Sequence, residues 1–126
     1  MNKSIVEFAK YSLGCKCSDE VFKQIDEFDK EKDENGYWIK KIIVGRRLLI
    51  LLIDSEGCKY DKGLIEYYIK KGVEERNRDQ LNRLRIVLII GDMNNYSESN
   101  TELENLLPDD KVHLHFVLKE EVSEIF

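Results

Sequence analysis

Apolar positions along this chain change rhythm several times, and each change predicts an element. Ile5, Phe8, Ala9 and Leu13 recur at helical spacing, with Gly14 following as a C-cap, so a first helix should end there. Val21, Phe22, Ile25 and Phe28 form a second helical stripe. Ser18 or Cys17 would cap that second helix, and Asp19 and Glu20 in its first turn would suit the helix dipole. From Asp26 to Glu34 acidic residues dominate, and Asn35-Gly36 closes the stretch, which reads as a solvated loop. Tyr37 to Val44 then alternates in part, and Leu48 to Ile53 is apolar on both faces before Asp54. Gly45-Arg46 between them predicts a two-residue type II′ hairpin, with the second strand central in a sheet.

The helical rhythm returns from Tyr60 to about Arg83, carried by Leu64, Ile65, Tyr68, Ile69, Val73, Leu81 and Leu84, with a bend expected at Gly72. Arg85 to Ile90 is a further strand, Ser97 to Leu107 a shorter helix stopped by Pro108, and Val112 to Leu118 a last strand before a short acidic tail. The predicted class is α/β: two N-terminal helices, an antiparallel hairpin and two β-α-β crossovers forming a mixed four-stranded sheet. Strand order 1-2-3-4 and a permuted thioredoxin-like order 4-3-1-2 both satisfy these directions. Residues 1–126 read as one domain, with a helical segment over 1–30 and the sheet and its crossover helices over 37–118.

Composition narrows the function classes. A net charge of −5 argues against a general nucleic-acid binder, because phosphate contacts need a basic surface. The longest apolar run falls well short of a membrane span, and no signal-peptide core is visible at the N-terminus, so a cytoplasmic location is expected. The basic residues Lys70, Lys71, Arg76, Arg78, Arg83 and Arg85 alternate with Glu66, Glu74, Glu75 and Asp79 in ion-pair positions, which describes a solvated helix face.

The cysteines change the picture most. Their number, 3, forbids a complete set of intrachain disulfides and favours a reducing compartment. Cys15 and Cys17 stand one residue apart at the corner between the two predicted helices, and Cys58 precedes the long helix, where unpaired amides would favour a thiolate. Should the corner fold over the sheet, these three thiols would supply soft ligands to a thiophilic metal such as zinc, or a redox pair. The simpler alternative is that the pair merely occupies a turn.

Other candidates come from strand ends and strand faces. Asp54 and Asp92 each follow a buried strand, and as neighbours they would bind Mg²⁺ or act on each other's ionisation; aspartates there also simply cap turns. His113 and His115 share one face of the last strand and could chelate a metal, or lie on a half-exposed sheet face. Asp29, Glu31, Asp33 and Asn35 alternate like a calcium loop, but Glu34 and Lys40 occupy the positions that need glycine and glutamate, so that reading fails. Walker A, Gly-x-Gly-x-x-Gly and Gly-x-Ser-x-Gly patterns are all missing.

The stretch Leu13-Gly14-Cys15-Lys16-Cys17-Ser18-Asp19-Glu20-Val21-Phe22 resembles small uncharacterised prokaryotic proteins that share an LGC-x-C-P-x-EVF-like segment ahead of a short α/β domain. Ser18 stands where that pattern has proline, and either residue starts a helix with Cys17 at the cap. The resemblance implies that the cysteine pair is a family feature and brings no activity with it. Three expectations follow: a thiol-based metal or redox protein; a non-catalytic interaction module or homodimer with a protein partner; and a carboxylate enzyme at Asp54 and Asp92.

Overall fold

A computed structural model describes residues 3–12, 23–56, 60–91 and 105–126. The chain is α/β, built on a mixed six-stranded sheet. Strands β1 (Ile25–Glu27), β2 (Glu31–Lys32), β3 (Trp38–Val44), β4 (Leu48–Asp54), β5 (Arg83–Ile90) and β6 (Val112–Leu118) are arranged β1-β3-β4-β5-β6, with β2 also paired to β3. β3 runs antiparallel to β4, while β4, β5 and β6 are mutually parallel. The four long strands therefore follow the simple 1-2-3-4 order, and the permuted order is excluded.

All seven residues of β4 are buried, as its two-faced apolar run requires for a strand covered on both sides. On one face, Leu49, Leu51 and Ile53 join Leu84, Ile86, Leu88 and Ile90 beneath helix α2 (Lys62–Arg78). Ile65, Tyr68, Ile69, Gly72 and Arg76 form the buried stripe of that helix. Gly72 lets the helix sit close to the sheet: a Cβ there would lie 2.9 Å from Leu84 Cδ2 and 3.3 Å from Leu51 Cδ1. Leu106 and Leu107 pack against the same cluster.

The opposite face collects Ile42, Val44, Leu48, Ile50, Leu52, Val87, Ile89 and Val117. It is covered by both ends of the chain. Helix α1 (Lys3–Glu7) continues as a π-helix over Phe8–Ser12 and contributes Ile5, Phe8 and Ala9, while Val122 and Ile125 arrive from the segment after β6. That segment, expected only as an acidic tail, forms a 3-10 helix over Lys119–Val122 and returns across the sheet, where Lys40 Nζ donates to the Ile125 carbonyl at 2.5 Å.

Several expectations are corrected. Ile25 to Glu27 pair with Val44 to Ile42 as a strand and Phe28 is 45% exposed, so the predicted second helix does not extend over these residues. The acidic stretch is likewise not all loop, since β1 and β2 both draw backbone partners from β3. The hairpin turn spans Gly45–Arg47, with positive φ at both Gly45 and Arg46, the type I′ signature rather than type II′. The long helix ends at Arg78: Gln80 takes φ 58°, its N–H bonds Asn77 O, and Leu81 N–H bonds Arg76 O at 2.8 Å, a Schellman stop. The predicted helix over Ser97–Leu107 falls mostly outside the described residues, and its last residues, 105–107, are not helical.

Candidate functional site

Period-two geometry brings a cleft together at the Asp54 end of β4. Trp38 pairs with Asp54 across β3 and β4, and with Lys32 across β3 and β2, so these three side chains leave the sheet on one face. Asp54, the last residue of β4, is only 5% exposed. Its Oδ1 accepts from the Glu56 backbone N–H at 2.8 Å, closing a turn in which Glu56 has φ 56°. Glu56 in turn accepts from Trp38 Nε1–H at 2.8 Å. Lys119, just past β6, places Nζ 3.7 Å from Asp54 Oδ2 while its own side chain stays 69% exposed.

The opposite wall is aromatic and cationic. Lys30 Nζ stands 5.6 Å from the Trp38 ring centroid and 5.0 Å from that of Phe126, within the range of cation–π attraction; Lys32 Nζ also reaches the Trp38 ring, at 5.3 Å, from outside the cleft lining. The segment carrying Val122, Ser123 and Phe126 closes one side. The cleft is open on one side and has a volume of about 510 Å³, within the usual range for small-molecule sites.

Tyr60 buttresses the neighbouring strand ends. Its hydroxyl lies 2.9 Å from both Ile53 O and Ile89 O and accepts from Ser55 N–H at 3.1 Å, tying β4 to β5 beside Asp54. Burial pushes the Tyr60 phenol up to about 12. A separate tyrosine–carboxylate cluster fixes the turn before β3. Tyr68 donates to Asp33 at 2.6 Å and Tyr67 to Glu34, while Asp33 Oδ1 accepts the Asn35 and Tyr37 amides at 2.9 and 3.0 Å. The Glu34 hydrogen bond pushes Tyr67 up to about 12, and burial raises Tyr68 as well. These phenols are neutral donors at neutral pH, suited to holding a turn.

A second depression, about 440 Å³, lies between Phe28, Lys41 and Glu75. Lys41 there is held by Asp79 at 2.8 Å, sits 3.8 Å from Glu75 and faces the Phe28 ring at 5.2 Å. Lys41 is thus committed within the protein, and it holds the Asp79 carboxyl below its usual value.

The sequence candidates fall as follows. Asp54 lies in the cleft. Cys15, Cys17, Cys58 and Asp92 lie outside the described residues. Asp61 caps the long helix, its side chain accepting from Leu64 N–H at 2.7 Å.

His113 and His115 share a sheet face with Arg85, which is buried. Arg85 Nη1 lies 2.9 Å from His115 Nε2; because guanidinium only donates, Nε2 accepts and the ring proton resides on Nδ1. Burial, then Arg85 and His113, push the His115 imidazole down to about 4. His113 is lowered too, first by burial and then by Arg85. Among the described residues, no group of three or more His, Cys, Asp or Glu side chains is placed to hold a metal ion. No helix among them is long and apolar enough to cross a membrane.

Sequence reasoning missed Trp38, Lys30, Lys119 and Phe126. The available signal was parity: Lys30 and Lys32 are two apart, and Lys32 is set opposite the single tryptophan of the chain once the turn at Asn35-Gly36 is read as a hairpin. Comparisons of the chain with protein-family models, with curated proteins and with solved structures each find no match.

Proposed function

We propose that the protein is a non-catalytic binding module whose site is the cleft between Trp38, Asp54 and the 119–126 segment. One observation carries this reading: a cavity of small-molecule size combines aromatic walls, a buried carboxylate and exposed lysines. Two of its sides are side chains of a rigid sheet, and the third is a segment anchored by Val122 and Ile125, which favours a preformed site. A fragment screen by thermal shift, repeated on Trp38→Ala, tests it. Ligands that stabilise the wild-type protein and lose that effect in the variant support the reading; stabilisation indifferent to Trp38, or none at all, overturns it.

A thiol function at Cys15, Cys17 and Cys58 is a second proposal, carried by the Cys-x-Cys spacing and the third cysteine. Metal content per chain and a count of reactive thiols, both on protein purified without oxygen or chelator, test it. Protected thiols with near-stoichiometric zinc, iron or copper support it. Three freely reactive thiols without metal, and no reversible disulfide under mild oxidant, remove it.

A further inference from the structure

Resting on the cleft being a ligand site, we propose that it takes a small organic anion: a carboxylate or phosphate group held by Lys30 and Lys119, on a planar or aliphatic body packed against Trp38 and Phe126. The cleft contains charges of both signs, so the choice between anion and cation depends on which groups are already satisfied. Both carboxylates accept hydrogen bonds from within the protein at 2.8 Å, Asp54 from the Glu56 amide and Glu56 from the Trp38 indole. The lysines differ. Among the described residues, Lys30 and Lys32 meet only ring faces, which attract the charge but accept no ordinary N–H hydrogen bond.

Lys119 is the second lysine of the cleft lining. At 3.7 Å from Asp54 and 69% exposed, it has a loose contact and the freedom to turn toward an incoming anion. An anion would therefore find unfilled donors, whereas a cation would have to compete with Lys30 for the rings and with Lys119 for Asp54. Trp38 and Phe126 supply apolar surface for the ligand body, and the indole, held through Nε1 by Glu56, is oriented before binding.

The single tryptophan makes the test direct, because the protein has one indole N–H resonance, that of Trp38. Benzoate, phenyl phosphate, benzyl alcohol and benzylamine keep one ring and vary the charge, and each is titrated into the uniformly ¹⁵N-labelled full chain. The expected result is a saturable shift of the indole cross-peak with benzoate or phenyl phosphate, weakened about fivefold in Lys30→Gln and in Lys119→Gln and by added salt. Which of the two anions binds more tightly distinguishes a carboxylate from a phosphate headgroup. Both substitutions are at surface lysines, and an unchanged spectrum away from the cleft certifies the fold. Tighter binding of benzylamine, or anion binding indifferent to both lysines, overturns the anion assignment while leaving the cleft a ligand site. Silence from all four probes, together with a fragment screen that finds no Trp38-dependent ligand, removes both.

Discussion

Tyr60 shows how much one side chain can hold at the end of a parallel sheet. Its hydroxyl has one proton and two carbonyls at 2.9 Å, and it accepts the buried Ser55 amide. Tyr60→Phe removes the hydroxyl that links Ile53, Ser55 and Ile89, so chemical denaturation should show a loss of about 1–3 kcal/mol with little change in far-ultraviolet circular dichroism. His115 makes a prediction of a different kind. Its folded pKa, about 4, lies below the ordinary histidine value of 6.5, so below pH 6.5 the unfolded chain takes up a proton that the native ring refuses. Stability should therefore be intact above pH 6.5 and fall toward pH 4, by about 1 kcal/mol per pH unit after allowing for partial exposure. His113 acts in the same direction, and the carboxyls of Asp79, held down by Lys41, and of Asp109, held down by its ion pair with Arg76 at 3.1 Å, add their loss below the usual carboxylate range. His115→Gln should flatten the upper part of that profile in urea midpoints measured across pH; an unchanged slope would refute the assignment.

At the level of elements, the end of α2 is the clearest target. Gln80 occupies the left-handed position of the Schellman stop, where a Cβ is unfavourable and glycine is the usual solution. Gln80→Gly should raise the unfolding free energy by up to about 1 kcal/mol, checked by urea denaturation. The strands β3 to β6 were legible because their apolar runs leave few alternatives, and β4 announced its central place by being apolar on both faces. Ile25 and Phe28 misled because three-residue strands are too short to show a period, and apolar residues three apart fit a helix equally well. What makes β1 a strand is Ile42 to Val44 across from it, a partner that becomes visible only when the chain folds back. The helix stop escaped notice for a related reason: glutamine carries no breaker signal, and its positive φ is imposed by the two hydrogen bonds that close the turn. Asp54 was legible as a strand-end carboxylate, but its surroundings come from four separate segments, and only tertiary structure unites them.

Over the whole molecule, the two sheet faces are covered in different ways. Helix α2, joining adjacent parallel strands, packs on one face, and residues from the two ends of the chain, far apart in sequence, close the other. Among the described residues, α2 and the leucines before β6 lie on the same face and the strand order never reverses, so they form no switch-point crevice of the kind that dinucleotide-binding sheets use. The cleft is made instead by the returning 119–126 segment, which links ligand capacity to the packing of Val122 and Ile125. Ile125→Ala should cost about 2–4 kcal/mol in denaturant unfolding and weaken any ligand that depends on Trp38 by loosening the third wall. A variant that unfolds earlier yet binds unchanged would show that the segment serves the core alone.

β4 has a consequence for how the molecule opens. Each of its residues is buried, it has bonded strands on both sides, and its two faces belong to two separate apolar clusters. Peeling away the chain ends exposes one face of β4 and leaves α2 on the other; fraying α2 does the reverse. Neither partial opening frees the amides of Leu49 to Ile53, which should exchange with deuterium only when the entire structure is lost and so report its global stability directly.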